Sequence, residues 1–212
     1  MNPLVIITGA SSGIGAATAQ AFAAAGHPLL LIARRLEPME ALKLPNTLCR
    51  AVDVLDAAGF KAAIDEAEAK FGPAEILVNN AGVMMNSPAM EGDPAQWDAM
   101  IDINIKGVLT GIRLVLNGMV KRGSGTIVNI GSIAGVKTFG NHAVYCGTKF
   151  AVHAITETIR EEVSSNNVRL ITIAPGMVET DLVNHTTHDA SREGWWKYAK
   201  QIGGALKPAD IA

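Results

Sequence analysis

Tyr145 and Lys149 stand four positions apart in Tyr145-Cys146-Gly147-Thr148-Lys149. On a helix that spacing puts both side chains on one face. A phenol has an ordinary pKa of about 10, too high for a base at neutral pH. A neighbouring ammonium favours phenolate and lowers that value, each unit being worth about 1.4 kcal/mol. The spacing therefore predicts a tyrosine able to pass a proton to or from an alcohol or carbonyl oxygen. Y-x-x-x-K alone is a weak pattern, and the competing reading is a pair of residues on a solvated helix face.

A second group of residues could hold phosphate. Thr8-Gly9-Ala10-Ser11-Ser12-Gly13-Ile14-Gly15 spaces its glycines G-x-x-x-G-x-G. Glycine accepts a positive φ and lets the backbone approach a ligand. Free N–H groups at the start of a helix attract phosphate. One competing reading is a tight turn with no ligand. Another is a hydrolase nucleophile elbow at Ser11, because Gly9-Ala10-Ser11-Ser12-Gly13 also fits G-x-S-x-G. That elbow would have no earlier loop to supply oxyanion donors and no evident triad histidine. Further on, Ala33-Arg34-Arg35 meets no acid before Glu37. An acid at the end of the second strand binds the ribose hydroxyls in NAD sites, whereas paired guanidiniums grip a 2′-phosphate. Arg34 and Arg35 therefore predict NADP rather than NAD, against the plainer reading of two solvated arginines.

These groups need a scaffold that brings a turn, a strand end and a helix face together. The chain has 212 residues, 49% hydrophobic and 18% charged, with a formal net charge of -2. That composition is opposite to disorder and suffices for a large core, so a single domain over 1–212 is expected. With no basic excess and 5% aromatics, nucleic acid is not an expected partner. No run of about 18 apolar residues predicts a membrane span. Met1-Asn2-Pro3 leads straight into Leu4-Val5-Ile6-Ile7 without a signal-peptide pattern. Cys49 and Cys146 form no C-x-x-C pair, which fits a reducing, cytoplasmic setting.

Short apolar runs at 4–8, 29–33, 48–53, 75–79, 125–131 and 168–174 read as strands. Helical patterns fill 13–25, 37–42, 56–70, 95–121 and 142–165. Uninterrupted apolar strands suit a parallel sheet covered on both faces. The alternation predicts a doubly wound α/β sheet, a Rossmann fold, with ligands at the carboxyl ends of its strands. The polar segment 181–206, with Trp195-Trp196, breaks the rhythm and is expected to be a substrate loop or lid. Lys207-Pro208-Ala209-Asp210-Ile211-Ala212 reads as the first turn of a helix, so a continuation beyond it is expected.

Further motifs follow in order: Asp53-Val54 after the third strand, Asn79-Asn80-Ala81-Gly82 after the fourth, Asn104 in a helix, Ser132 after Val128-Asn129-Ile130-Gly131, and Pro175-Gly176-Met177-Val178-Glu179-Thr180. Together with the glycine turn and the Tyr145–Lys149 pair, they resemble the short-chain dehydrogenase/reductase family from Leu4 to the C-terminal end. The resemblance implies an oxidoreductase acting on an alcohol, ketone or aldehyde. It makes Tyr145 the general acid/base, with Lys149 lowering its pKa and holding the nicotinamide ribose. It has Ser132 orient the substrate oxygen and Asn104 hold a water that links Lys149 to solvent. It assigns cofactor contacts to Gly9, Ser11, Ser12, Gly13, Ile14, Gly15, Asp53, Val54, Asn80, Ala81, Gly82, Pro175, Gly176, Val178 and Thr180. Plainer readings stand beside some of these. Asn79 could tie strands together, Asp53 could form a turn, and Asn104 could mark a helix kink.

The family varies its substrate pocket after the position of Thr180. Met84, Met85, His142 and Val178 are expected to line that pocket, and Trp195 and Trp196 to form an apolar lid or packing face. His185 and His188 have no cysteine or acidic cluster at ligand spacing, so no metal is expected. Leu182 to His188 and Leu206 to Ala212 resemble a subgroup that includes clavulanic acid dehydrogenase. The family implies a homodimer or homotetramer built on helices 95–121 and 142–165. A different class of function on the same fold, an NADP(H)-binding regulator or redox sensor without turnover, would have no need of the proton relay.

Overall fold

In the computed structural model, which describes residues 2–212, the apolar runs form six strands. They are β1 (Leu4–Thr8), β2 (Leu29–Ala33), β3 (Thr47–Ala51), β4 (Ala74–Asn79), β5 (Gly125–Ile130) and β6 (Val168–Ile173). All pair in parallel, in the order β3-β2-β1-β4-β5-β6. Successive strand residues face opposite sides of the sheet. Leu4, Ile6, Leu30 and Ile32 accordingly join one core and Val5, Ile7, Leu29 and Leu31 the other. Both faces are buried, which is why these strands read as continuous apolar runs.

Helix α1 (Gly13–Ala24) and the short α2 (Glu37–Glu40) supply Ala19, Ala23 and Met39 to the second core. Helix α3 (Ala57–Phe71) brings Phe60 and Ile64 to the first. It starts at Asp56, whose carboxylate accepts the Gly59 N–H at 2.9 Å. The expected helix 95–121 is three pieces: α4 (Pro94–Ile101), a π-helical turn (Asp102–Lys106) and α5 (Gly107–Arg122). Helix α6 (Ala143–Val163) packs on β6, and α5 on β4 and β5. The chain order of the strands reverses between β1 and β4, and a doubly wound sheet opens its ligand crevice there. Among the described residues, no helix is long and apolar enough to cross a membrane.

The segment 181–206 departs from the irregular stretch expected of it. It folds as a 3₁₀ turn (Asp181–His185) and helix α7 (Asp189–Gln201). His188 caps α7, its Nδ1 accepting the Ser191 N–H at 3.2 Å. The excursion is pinned at its base, where Leu206 N–H donates to Met177 O at 2.9 Å and Glu179 N–H to Leu206 O at 2.8 Å. Pro208–Asp210 form a single 3₁₀ turn.

Candidate active site

A cavity of about 1000 Å³ runs along the carboxyl ends of the strands. Its wall includes Gly9, Ser11, Ser12, Gly13 and Ile14 of the turn between β1 and α1. The turn is fastened to the end of β4. Thr8 Oγ1 accepts the N–H groups of Asn80 at 3.0 Å and Ala81 at 3.1 Å. The Asn80 amide donates back to Thr8 O at 3.0 Å and Gly9 O at 3.2 Å. Gly9 has φ +66°, and a Cβ there would come within 2.8 Å of the Ala81 Cα. Gly15 is absent from the cavity wall and acts instead as a spacer, since a Cβ there would lie 2.4 Å from Gly9 O. Ser12 makes no side-chain cap and the first turn of α1 carries no acid. Among the described residues no side chain caps the opening N–H groups of α1, and Gly13 and Ile14 line the cavity, a donor set that fits a pyrophosphate.

Arg34, Arg35, Asp53 and Val54 continue the wall. Both arginines are exposed, and neither makes a side-chain hydrogen bond or ion pair among the described residues. Asp53 also serves as a turn former, accepting the Leu55 N–H at 2.9 Å. Ala81, Gly82, Pro175, Gly176, Val178 and Thr180 also line the cavity. Thr180 packs against the glycine turn, 3.0 Å from where a Cβ on Gly13 would stand.

Ser132, just after β5, meets Tyr145 and Lys149 of α6 in the same cavity. All three are buried. Lys149 Nζ donates to Ile130 O at 2.8 Å and lies 5.8 Å from the centre of the Tyr145 ring. The expected acidic phenol is not what this geometry produces. Burial pushes Tyr145 up to about 12, an interaction with the Ser132 hydroxyl pulls the other way, and Cys146 adds a smaller rise. The same burial pushes Lys149 down to about 8. Desolvation disfavours both charged forms and is the leading cause at each residue.

Asn104 lies behind the cavity rather than on its wall, in the π-helical turn, and is 1% exposed. Its amide donates to Val83 O at 2.9 Å and Thr148 Oγ1 at 3.1 Å, while its oxygen accepts the Val83 N–H at 2.8 Å. Asn79 is a strand tie, donating to Asn129 Oδ1 at 2.9 Å.

On the substrate side, Met84, His142 and Val178 line the cavity, as do Trp195 and Tyr198 of α7. Met85 and Trp196 do not; Trp196 packs edge-on against Trp195 with ring centres 4.7 Å apart. Ile103, Phe139 and Ile202 line it with no motif to announce them. His153 was also silent in the sequence. Its Nε2 accepts the Ser132 N–H at 3.4 Å, and a Cβ on Gly131 would lie 2.3 Å from that nitrogen. Burial and the charge of Lys149 hold His153 below the ordinary histidine value, which keeps the accepting lone pair available. None of the five histidines bonds to Ser11 among the described residues, so the hydrolase reading finds no base.

The family model described as short chain dehydrogenase matches residues 3–191. An uncharacterized oxidoreductase of Staphylococcus saprophyticus is 40% identical over 217 residues, spanning 100% of this chain and 87% of the relative. A serine dehydrogenase solved in closed form with NADP+ superposes with a TM-score of 0.90 at 33% identity, covering 98% of this chain and 85% of its own. A 3-ketoacyl-(acyl-carrier-protein) reductase from Brucella melitensis, solved with NADH, gives 0.88 at 27% identity, covering 99% and 87%.

Proposed function

The chain belongs to the short-chain dehydrogenases, oxidoreductases acting on CH–OH or C=O groups, and from that premise we propose that it uses NADP, with Tyr145 as its general acid/base. The observation that carries the reading is the burial of Ser132, Tyr145 and Lys149 together in one cavity wall, in line with a phosphate-binding turn. A nicotinamide bound there would supply or accept the hydride. In reduction, Tyr145 gives its phenolic proton to the substrate oxygen as the carbonyl carbon gains hydride; oxidation runs the reverse. Ser132 holds that oxygen and steadies its growing charge. Lys149 would hold the cofactor ribose and keep a positive field beside the phenol.

The preference for NADP rests on Arg34 and Arg35, which make no ion pair among the described residues and stand where an NAD site needs an acid. Glycine-turn residues Gly9, Ser11, Ser12, Gly13 and Ile14 would hold the pyrophosphate, and Asp53 and Val54 would hold the adenine end. The substrate is a small alcohol, ketone or aldehyde held between Met84, His142 and the lid helix α7. The assembly is a homodimer or homotetramer.

Screening ketones and aldehydes while following NADPH absorbance tests the reading. Tyr145→Phe should lose turnover by about 10²- to 10⁴-fold while binding NADPH as the parent does. Full turnover in that variant would remove Tyr145 from the chemistry. Arg34→Ala with Arg35→Ala should raise KM for NADPH far more than for NADH; equal effects would defeat the cofactor preference.

A further inference from the structure

His185 ends the 3₁₀ turn after Thr180 and reaches the cavity wall that Arg34 and Arg35 also line. Its position is anchored on both sides. Val183 is buried before it, and Thr186 after it donates from Oγ1 to Met84 O at 3.2 Å while accepting the Asn86 N–H at 3.3 Å. The turn is thus held against the segment that follows β4. Among the described residues, His185, Arg34 and Arg35 make no side-chain hydrogen bond or ion pair. Three groups able to carry positive charge therefore line the same cavity, and both guanidiniums lie within electrostatic reach of His185. Asp181, at the other end of the turn, is the acid within electrostatic reach of His185.

We propose that His185 closes over the 2′-phosphate of the bound cofactor as a third cationic donor beside Arg34 and Arg35, gaining a proton from solvent as the phosphate arrives. This rests on the NADP reading given above. The sign of the coupling follows from the charges. In the unliganded protein, partial burial first, then Arg34, hold His185 below the ordinary histidine value; Asp181 opposes them and Arg35 adds to them. A phosphate dianion offsets both guanidiniums and favours imidazolium. Binding then takes up protons, and NADPH affinity falls as pH rises through the pKa of the liganded His185. NADH, without that phosphate, gives the ring no such reason to gain a proton. The turn carrying His185 also begins the excursion that bears α7, so the phosphate would help hold the lid down.

Calorimetric titration of the intact protein with NADPH and NADH, in two buffers of different protonation enthalpy, tests this. The 2′-phosphate has its own ionisation, but that is common to every variant. The parent should take up more protons with NADPH than His185→Gln does. That variant should bind NADPH about fivefold more weakly at roughly pH 6.5, with NADH binding unchanged. His185→Arg should restore the affinity without the proton uptake. An unchanged proton count in His185→Gln, with NADPH preference intact, would overturn the role of His185 alone. Equal weakening of NADPH and NADH would overturn it too. A parent that does not distinguish the two cofactors would remove the NADP reading and this inference together.

Discussion

A phenol walled off from water keeps its proton, and Tyr145 is pushed up to about 12 for that reason. At neutral pH it therefore stands ready as an acid, the form that carbonyl reduction consumes. Alcohol oxidation needs the phenolate, which becomes more available as pH rises. Measured at saturating cofactor and substrate, oxidation should accelerate steadily from neutral into alkaline pH. Reduction should hold level until Lys149, at about 8, loses its charge. An oxidation rate that falls over that range would contradict the assignment. Lys149 carries a related consequence for stability. Its folded pKa lies below the unfolded value of 10.5, so the unfolded chain binds the extra proton and burial of the charge costs stability, on the order of 3 kcal/mol. That penalty is full below about 8 and is relieved as pH climbs towards 10.5. Lys149→Met should accordingly raise Tm at pH 7 while abolishing turnover, as read by calorimetry and the NADPH assay.

At the scale of elements, the glycine turn depends on contacts that a side chain at position 15 would break. A Cβ there meets Gly9 O at 2.4 Å and Asn80 Nδ2 at 2.5 Å, and both atoms are fixed by the bonds between Asn80 and the turn. Gly15→Ala should lift the start of α1 away, lowering Tm and weakening NADPH binding at least about tenfold in a fluorescence titration. Full affinity in that variant would show that the turn tolerates displacement. The strands were legible because burial on both faces leaves an unbroken apolar run such as Leu29–Ala33. The π-helical turn was not, because Asp102-Ile103-Asn104 continues the helical pattern and only the pull of Val83 and Thr148 on Asn104 marks the spot. Helix α7 was missed because its residues are largely polar, and its cap is a histidine rather than Ser, Thr, Asp or Asn. The Tyr145–Lys149 spacing was legible, but the direction of the tyrosine shift was not. Spacing along a helix reports the neighbouring charge, whereas desolvation comes from elements distant in sequence.

At the scale of the whole molecule, α6 has more apolar surface than one sheet can cover. Val152 and Val163 enter the sheet core, and Tyr145 and Lys149 face the cavity. Phe150 is left 41% exposed, and Leu109 on α5 40%. Single exposed apolar residues are ordinary, so these two acquire meaning only under the homo-oligomer proposed above. A second copy of the chain would cover them without disturbing the cavity, because neither residue lines it. Placing a charge at each position should then oppose association, since an unpaired carboxylate at a buried interface is costly. Leu109→Asp combined with Phe150→Asp should shift the species seen by light scattering from dimer or tetramer to monomer, with the circular dichroism of the parent retained. A parent that is monomeric at micromolar concentration would remove the homo-oligomer, and an unchanged assembly in the double variant would move the interface off α5 and α6.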